Sequence, residues 1–295
     1  MALSTSLAKG LLTNFYEGFN STPVNYDKVA TTIKSSARSE TYGWIGGLPR
    51  LRKMLGERQA KKLLEHSYSI TNETYEATIE VDVEDIMDDQ TGQYGIQAKN
   101  IGEAAKIFPD ELIFATLLPA GNASLCYDGQ YFFDTDHPVG ETGTTQSNLG
   151  SSALDATTFN TARTALRKMK DDFGRPTFNN NMDLLLVIPP DLENTASTIL
   201  EADVLASGAT NTLKGAAHIL TVPWLSDTNN WYLLNTAGVM KPFILQEREF
   251  RPMDALEEGS VENFMRRKNY YGTLWRGNAG YGLYQKAYAS IVAGG

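Results

Sequence analysis

Apolar and polar residues alternate strictly from Tyr75 to Glu84. Tyr75, Ala77, Ile79, Val81 and Val83 share one face, and Glu76, Thr78, Glu80, Asp82 and Glu84 the other. A period of two over this length predicts a half-buried strand. Upstream, Tyr68 and Ile70 carry an apolar face of opposite parity. A turn or bulge near residues 71–72 would restore the register, so a long hairpin is expected there.

The period then changes. Ile101, Ala104, Ala105, Phe108, Leu112, Ala115 and Thr116 fall on one helical stripe, interrupted by Pro109. Pro109 either opens a second helix, with Asp110 and Glu111 in its first turn, or kinks one long helix. A continuous helix over 94–118 would span about 37 Å at 1.5 Å per residue. Residues 139–153 are small and polar and read as a loop. Phe159, Ala162, Leu166, Met169 and Phe173 mark a further helix, with Asp155 as N-cap and Gly174 just past its end. Leu184 to Ile188 reads as a buried strand, and Leu192, Ala196, Ile199 and Leu200 as a helix ending near Gly208. Short strands are expected at 219–224, 231–234, 243–250 and 282–291. Helices and strands mix without a βαβ rhythm, which predicts an α+β fold.

Charge is laid out in blocks. Residues 50–62 carry six basic residues and one acid, and residues 73–89 carry eight acids and no base. Such blocks form solvated faces, or pair between copies of one chain. Interface candidates on this reasoning are Arg50, Arg52, Lys53, Glu76, Glu80 and Asp82. The whole chain has 26 basic and 35 acidic residues, a net −9 that opposes a primary role in gripping nucleic-acid phosphates. A single cysteine excludes an intramolecular disulfide. The first residues make a poor signal peptide, and no apolar run is long enough to span a membrane.

Catalytic signatures are missing. There is no Walker loop, no H-E-x-x-H and no G-x-S-x-G. Gly277 to Gly282 spaces its glycines unlike the dinucleotide fingerprint and reads as a turn. His66 and His218 stand alone. The one enzyme-like stretch is CYDGQYFFDTDHPVG (126–140), where Asp128, Asp134, Asp136 and His137 are candidate metal ligands. A calcium loop fails because no glycine sits where it must turn, and zinc lacks further Cys or His ligands. Asx turns at the aspartates, a tight turn at 128–129 and an aromatic anchor explain the stretch better. No cofactor or metal and no enzymatic activity are expected. Residues 266–277 interleave bases with aromatics, as single-strand nucleic-acid binders do. The acidic total favours a subunit interface instead, with Arg266, Arg267 and Trp275 as candidates.

Six phrases carry a family resemblance: SSARSETYGWIGGLPRL (35–51), SYSITNETYEATIEVDVEDIMDD (67–89), FPDELIF (108–114), CYDGQYFFDTDHPV (126–139), KPFILQERE (241–249) and GNAGYG (277–282). In this order the chain resembles the major head subunit (T protein) family of Mu-like bacteriophages. The resemblance implies the HK-97-type capsid fold. It maps an extended N-terminal arm to 1–40 and an extended hairpin to 41–78. A peripheral domain takes 79–149 and 243–295, with a spine helix at about 90–120 that Pro109 kinks or divides, and an axial domain takes 150–242. It further implies self-assembly into hexamers and pentamers of an icosahedral shell, in the virion and built in the host cytoplasm. The implied partners are a separate scaffolding protein, a portal, and enclosed DNA bound without sequence specificity. An encapsulin-like compartment is the alternative within the fold, and a metal-dependent enzyme the alternative outside it. No Lys–Asn–Glu crosslinking triad can be placed by motif.

Overall fold

Two sheets, each covered by helices, meet along a shared aromatic core. The computed structural model describes residues 2–43, 67–84, 92–139, 144–171, 174–177, 182–204, 208–256 and 260–292. In chain order, α1 (Ala2–Ser21) and the single turn α2 (Tyr26–Val29) precede β1 (Ala30–Lys34), β2 (Ser39–Tyr42), β3 (Tyr68–Thr71) and β4 (Glu73–Asp82). Helix α3 (Gln93–Glu111) runs on into wider π-helical turns (Leu112–Leu117) and a 3-10 turn (Pro119–Asn122). Next come β5 (His137–Val139), β6 (Thr144–Gln146), β7 (Leu149–Gly150), α4 (Ala156–Lys168), β8 (Leu184–Ile188), α5 (Glu193–Leu200), β9 (His218–Thr221) and β10 (Trp231–Asn235). The described chain closes with β11 (Phe243–Leu256), α6 (Val261–Arg266), β12 (Lys268–Tyr281) and β13 (Ala287–Ser290).

The first sheet has the order β1-β11-β12-β4, and the second β7-β13-β10-β8-β9. In the second sheet Leu184, Leu186, Ile188, Trp231 and Leu233 point toward α4 and α5. Leu185, Val187, Tyr232 and Leu234 point the other way, into the core shared with Phe132, Phe133, Phe243 and Tyr281. Burial on both faces explains why β8 reads as an unbroken apolar run instead of alternating. Helix α4 begins where expected: the Asp155 carboxylate accepts from Thr157 N and Thr158 N at 2.7 Å each, and the Thr158 hydroxyl accepts from Asp155 N. This reciprocal cap satisfies donors that the first turn leaves open. Asp155→Ala is expected to cost about 1 kcal/mol, read as a lower urea midpoint with an unchanged slope.

Several expectations are corrected. Residues 2–21 are helical, not extended, because Leu11 and Phe15 lie a turn apart and are buried against the spine helix α3. The two helices touch at glycine: a Cβ at Gly18 would fall on the Lys99 carbonyl, and one at Gly102 on the Phe15 carbonyl. The hairpin partner of β3 is β2, with Ser39 opposite Thr71 and Tyr42 opposite Tyr68, while β4 turns away to pair with β12. The expected tip of that hairpin, with Arg50, Arg52, Lys53 and His66, lies outside the described residues.

Pro109 neither divides the spine nor opens a new helix; it sits inside α3, and the turns beyond it widen until Leu118 N donates to Ile113 O. Asp110, expected as a first-turn acid, is buried and accepts from the backbone N–H of Asn25 and Tyr26. Burial pushes its carboxyl up, against those two hydrogen bonds. Helix α4 stops at Lys168, so Gly174 follows a separate turn closed by its N–H to Asp171 O. Helix α5 ends at Leu200, eight residues short of Gly208. Residues 139–153 include the short strands β6 and β7 as well as loop.

The stretch from Gly277 to Tyr281 is strand, not turn. Gly277 and Gly280 are needed for close approach: a Cβ at the first would meet the Gln246 carbonyl and the Trp275 ring, and at the second the Ile70 side chain. Residues 243–295 were expected to lie together, yet Ala287–Ser290 join the second sheet through β10 and β7. No helix among the described residues is long and apolar enough to cross a membrane.

Candidate functional site

The enzyme-like stretch folds as a connector between the spine helix and the second sheet. Cys126 N donates to Gln130 O at 2.8 Å, and Gly129 takes φ +87°, a left-handed turn that suits glycine. Phe132 and Phe133 are buried in the shared core. Their rings meet edge to face at 4.9 Å, and Phe132 stacks on Tyr281 at 4.6 Å. Pro138 lies in β5 opposite Thr145, in the extended geometry expected around it.

Folding brings three of the polar groups together: Cys126, Asp128 and His137 offer ligand atoms within 4.8 Å of one another. Each already has a partner in the cluster. The Cys126 thiol donates to Asp128 Oδ1 at 3.0 Å, and His137 Nδ1 lies 2.7 Å from Asp128 Oδ2. The other ring nitrogen, Nε2, lies 3.2 Å from Asn148 Oδ1. The ring is parallel to Tyr284, with centroids 3.7 Å apart. Burial works to raise the Asp128 carboxyl, but the bonds from His137 and Cys126 outweigh it and hold it below the usual carboxylate range. Burial drives the Cys126 thiol far upward, away from the thiolate form.

Asp134 and Asp136 stay outside this cluster. Asp134 accepts from Tyr131 N at 3.2 Å and from Thr135 N at 2.7 Å, a local backbone role, and Asp136 is exposed. Asn148 was not singled out from the sequence, because its role depends on a fold that returns residue 148 to residue 137. The Cys–Asp–His order also differs from a nucleophilic triad: the carboxylate, not the imidazole, accepts from the thiol.

The described interface candidates lie on the first sheet and at the end of α6 beside it. Strand β4 is its edge and presents Glu76, Glu80 and Asp82 outward. Lys268 and Tyr270 on β12 both bond to Glu80, and together they hold its carboxyl low. Arg267 pairs with Glu84 at 2.7 Å and Arg266 with Glu262 at 3.3 Å. Arg267 and Lys268 thus offset part of the acidic stretch from within the chain. Trp275 is half-buried and packs with Tyr75 at 5.8 Å and Phe108 at 5.5 Å, bracing the spine helix on the sheet.

The sequence reading missed α6. Between the long strands β11 and β12, Val261, Phe264 and Met265 are 75%, 86% and 71% exposed, with Leu256 nearby in sequence at 54%. Apolar side chains grouped this way at a hairpin tip form a candidate contact surface. Apolar residues flanked by Glu262, Arg266 and Arg267 were the available signal.

This architecture of two helix-covered sheets, a spine helix and a projecting hairpin tip matches known shell proteins. The sequence profile of the Mu-like prophage major head subunit gpT matches residues 4–153, 149–225 and 226–293. The Mu-like prophage FluMu major head subunit of Haemophilus influenzae is 31% identical, over 97% of this chain and 72% of its own length. The major capsid protein of Escherichia phage Mu is 28% identical, over 98% and 75%. A chain of the bacteriophage JBD30 procapsid is 32% identical with a TM-score of 0.63, over 98% of this chain and 75% of that one. With the profile matched from end to end of the fold, the chain belongs to the Mu-like prophage major head subunit gpT family.

Proposed function

We infer that this chain is a major capsid protein that assembles with itself into an icosahedral phage head. The match of the family profile along almost the whole chain carries this reading. The capsid fold is α+β and of the HK-97 type. On this reading the first sheet with α1 and α3 forms the peripheral domain, and most of the second sheet with α4 and α5 forms the axial domain. The axial loops then meet at the centres of hexamers and pentamers. A closed shell needs contact surfaces whose rotations close, and overlapping hairpins bury more area than compact bodies meeting edge to edge. The exposed apolar tip at α6 and the charged edge at β4 supply such surfaces.

The chain does not act as an enzyme on this reading. A separate scaffolding protein and a portal assist assembly in the host cytoplasm, and the finished shell encloses DNA without reading its sequence. The net charge of −9 supports the last point, since a container must release its contents. An encapsulin-like compartment is the weaker reading, because the relatives with substantial identity are phage head proteins.

Cryo-electron microscopy of the purified chain, alone and with the scaffolding protein of its phage, tests the proposal. Closed shells are expected, and persistent monomers under both conditions would overturn it. The paired variant Phe264→Asp and Met265→Asp is expected to keep the monomer's circular dichroism and urea midpoint, because both side chains already face solvent. Its shell yield should fall at least about tenfold, the effect of losing apolar anchors from an interface. Unchanged yield would remove α6 from the assembly surface.

A further inference from the structure

The spine helix does not meet the first sheet evenly along its length. Ala104, Ala105 and Phe108 of α3 face Tyr75 and Ala77 of β4 and Trp275 of β12 across a groove of about 310 Å³. Residue size explains the gap. Large rings close on one another at Phe108, with Tyr75 at 4.6 Å and Trp275 at 5.5 Å. The three alanines are too short to fill the remaining space, which close packing would otherwise remove. Strand β4 is the edge of its sheet, and Ala77 and Ala104 are exposed, so the groove opens to solvent. Two exposed carboxylates, Glu76 and Glu111, border it.

The same chain exposes apolar side chains that match this groove: Val261, Phe264 and Met265 on α6. They cannot enter their own copy's groove. Helix α6 leads directly into β12, and Trp275 lies seven residues along that strand from Lys268. At about 3.3 Å per residue the separation is roughly 23 Å. From Tyr270 to Gly277 the strand is paired on both sides, with β11 and with β4, so it cannot fold back. Tip and groove can therefore meet only between copies.

Their chemistry is complementary. A phenyl ring and a thioether both pack well against aromatic rings such as Tyr75, Phe108 and Trp275. Arg266, at the end of α6, is held by an exposed pair with Glu262 at 3.3 Å, a bond of small worth. It is available to the carboxylates at the groove's border, and opposite charges around an apolar centre fix the register of a contact.

On the reading that the chain assembles with itself, we propose that the groove between the spine helix and β4 receives the α6 tip of a second copy. Phe264 and Met265 enter against Phe108 and Trp275, and Arg266 turns toward Glu111. Two different patches meet in this contact, so it is heterologous and continues from copy to copy until a ring closes.

The test pairs Phe264→Cys with Ala104→Cys in one chain, assembles it, and treats the shells with a short bis-maleimide, which bridges a wider gap than a disulfide. The parent chain is the blank, because its one cysteine, Cys126, is buried. Denaturing gels should show a ladder extending beyond the dimer, and each single-cysteine variant should run as monomer. Shells without the ladder would overturn the contact. So would dimers from Phe264→Cys alone, which would place tip against tip. Absence of shells from the parent chain, with its phage's scaffolding protein present, would instead overturn the self-assembly reading and this contact with it. Should the double variant fail to assemble, hydroxyl-radical footprinting of parent shells decides. Oxidation of Met265 and Trp275 should both fall about fivefold or more from monomer to shell, because the centre of an interface excludes water. Unchanged oxidation of Trp275 would refute the docking.

Discussion

Replacing Phe132 with alanine is expected to destabilise the folded chain by about 3–5 kcal/mol, the range for deleting a fully buried aromatic ring. Phe132 has no exposed surface, and its ring centroid lies 4.6 Å from Tyr281, 4.9 Å from Phe133 and 5.5 Å from Phe243. Those neighbours belong to the connector and to the two long strands of the first sheet. Strands held in a hydrogen-bonded register cannot close on the space left behind, so little of the cavity cost is recovered. Urea unfolding of the monomer provides the measurement: the midpoint should drop with the slope unchanged. A loss below about 1 kcal/mol, typical of a surface change, would mean that the ring is not packed as described.

Gly277→Val should be nearly as costly, at about 3 kcal/mol or more, the upper end for forced overpacking. Gly277 sits in β12 between β11 and β4, opposite Glu247 on one side and Glu73 on the other. A Cβ there would fall on the backbone oxygen of Gln246 and within 2.6 Å of the Trp275 ring. The oxygen belongs to a strand paired on both sides, and the ring braces Phe108 of the spine helix. Neither can withdraw without breaking other contacts. Lower soluble yield and a reduced urea midpoint are the expected readouts, and a variant as stable as the parent would refute the close approach. Gly280→Ala is the milder companion, because its Cβ meets the end of the Ile70 side chain, which can move.

The same glycines show why part of the fold escaped a reading of the sequence. In GNAGYG the spacing suggests a turn, and only the neighbouring strand reveals that the glycines make room for a backbone. Strand β12 was hidden by its composition, since Arg266 to Gly277 alternates bases with aromatics as an interface does. Lys268 and Tyr270 in fact reach Glu80 across the sheet, nearly 190 residues away. Helix α1 had a usable signal in Leu11, Phe15 and Phe19. The extended arm expected there follows from the family resemblance alone. The cluster at 126–148 was half legible: Asp128 and His137 stood out by type, but Asn148 and Tyr284 did not.

Local information was enough wherever the partner was close in the chain or was simply the core. The cap at Asp155, the helix it starts, the buried run of β8 and the alternation of β4 follow from spacing, because helix and strand periods decide which side chains face inward. The family was legible too, in phrases spread along the chain. Tertiary structure alone decided which strand each edge meets, that Pro109 lies within a continuous spine, and that β13 joins the second sheet. It also decided that Cys126, Asp128, His137 and Asn148 converge on one another. These choices rest on contacts between residues far apart in the chain, whose closure entropy is offset only when the whole core forms.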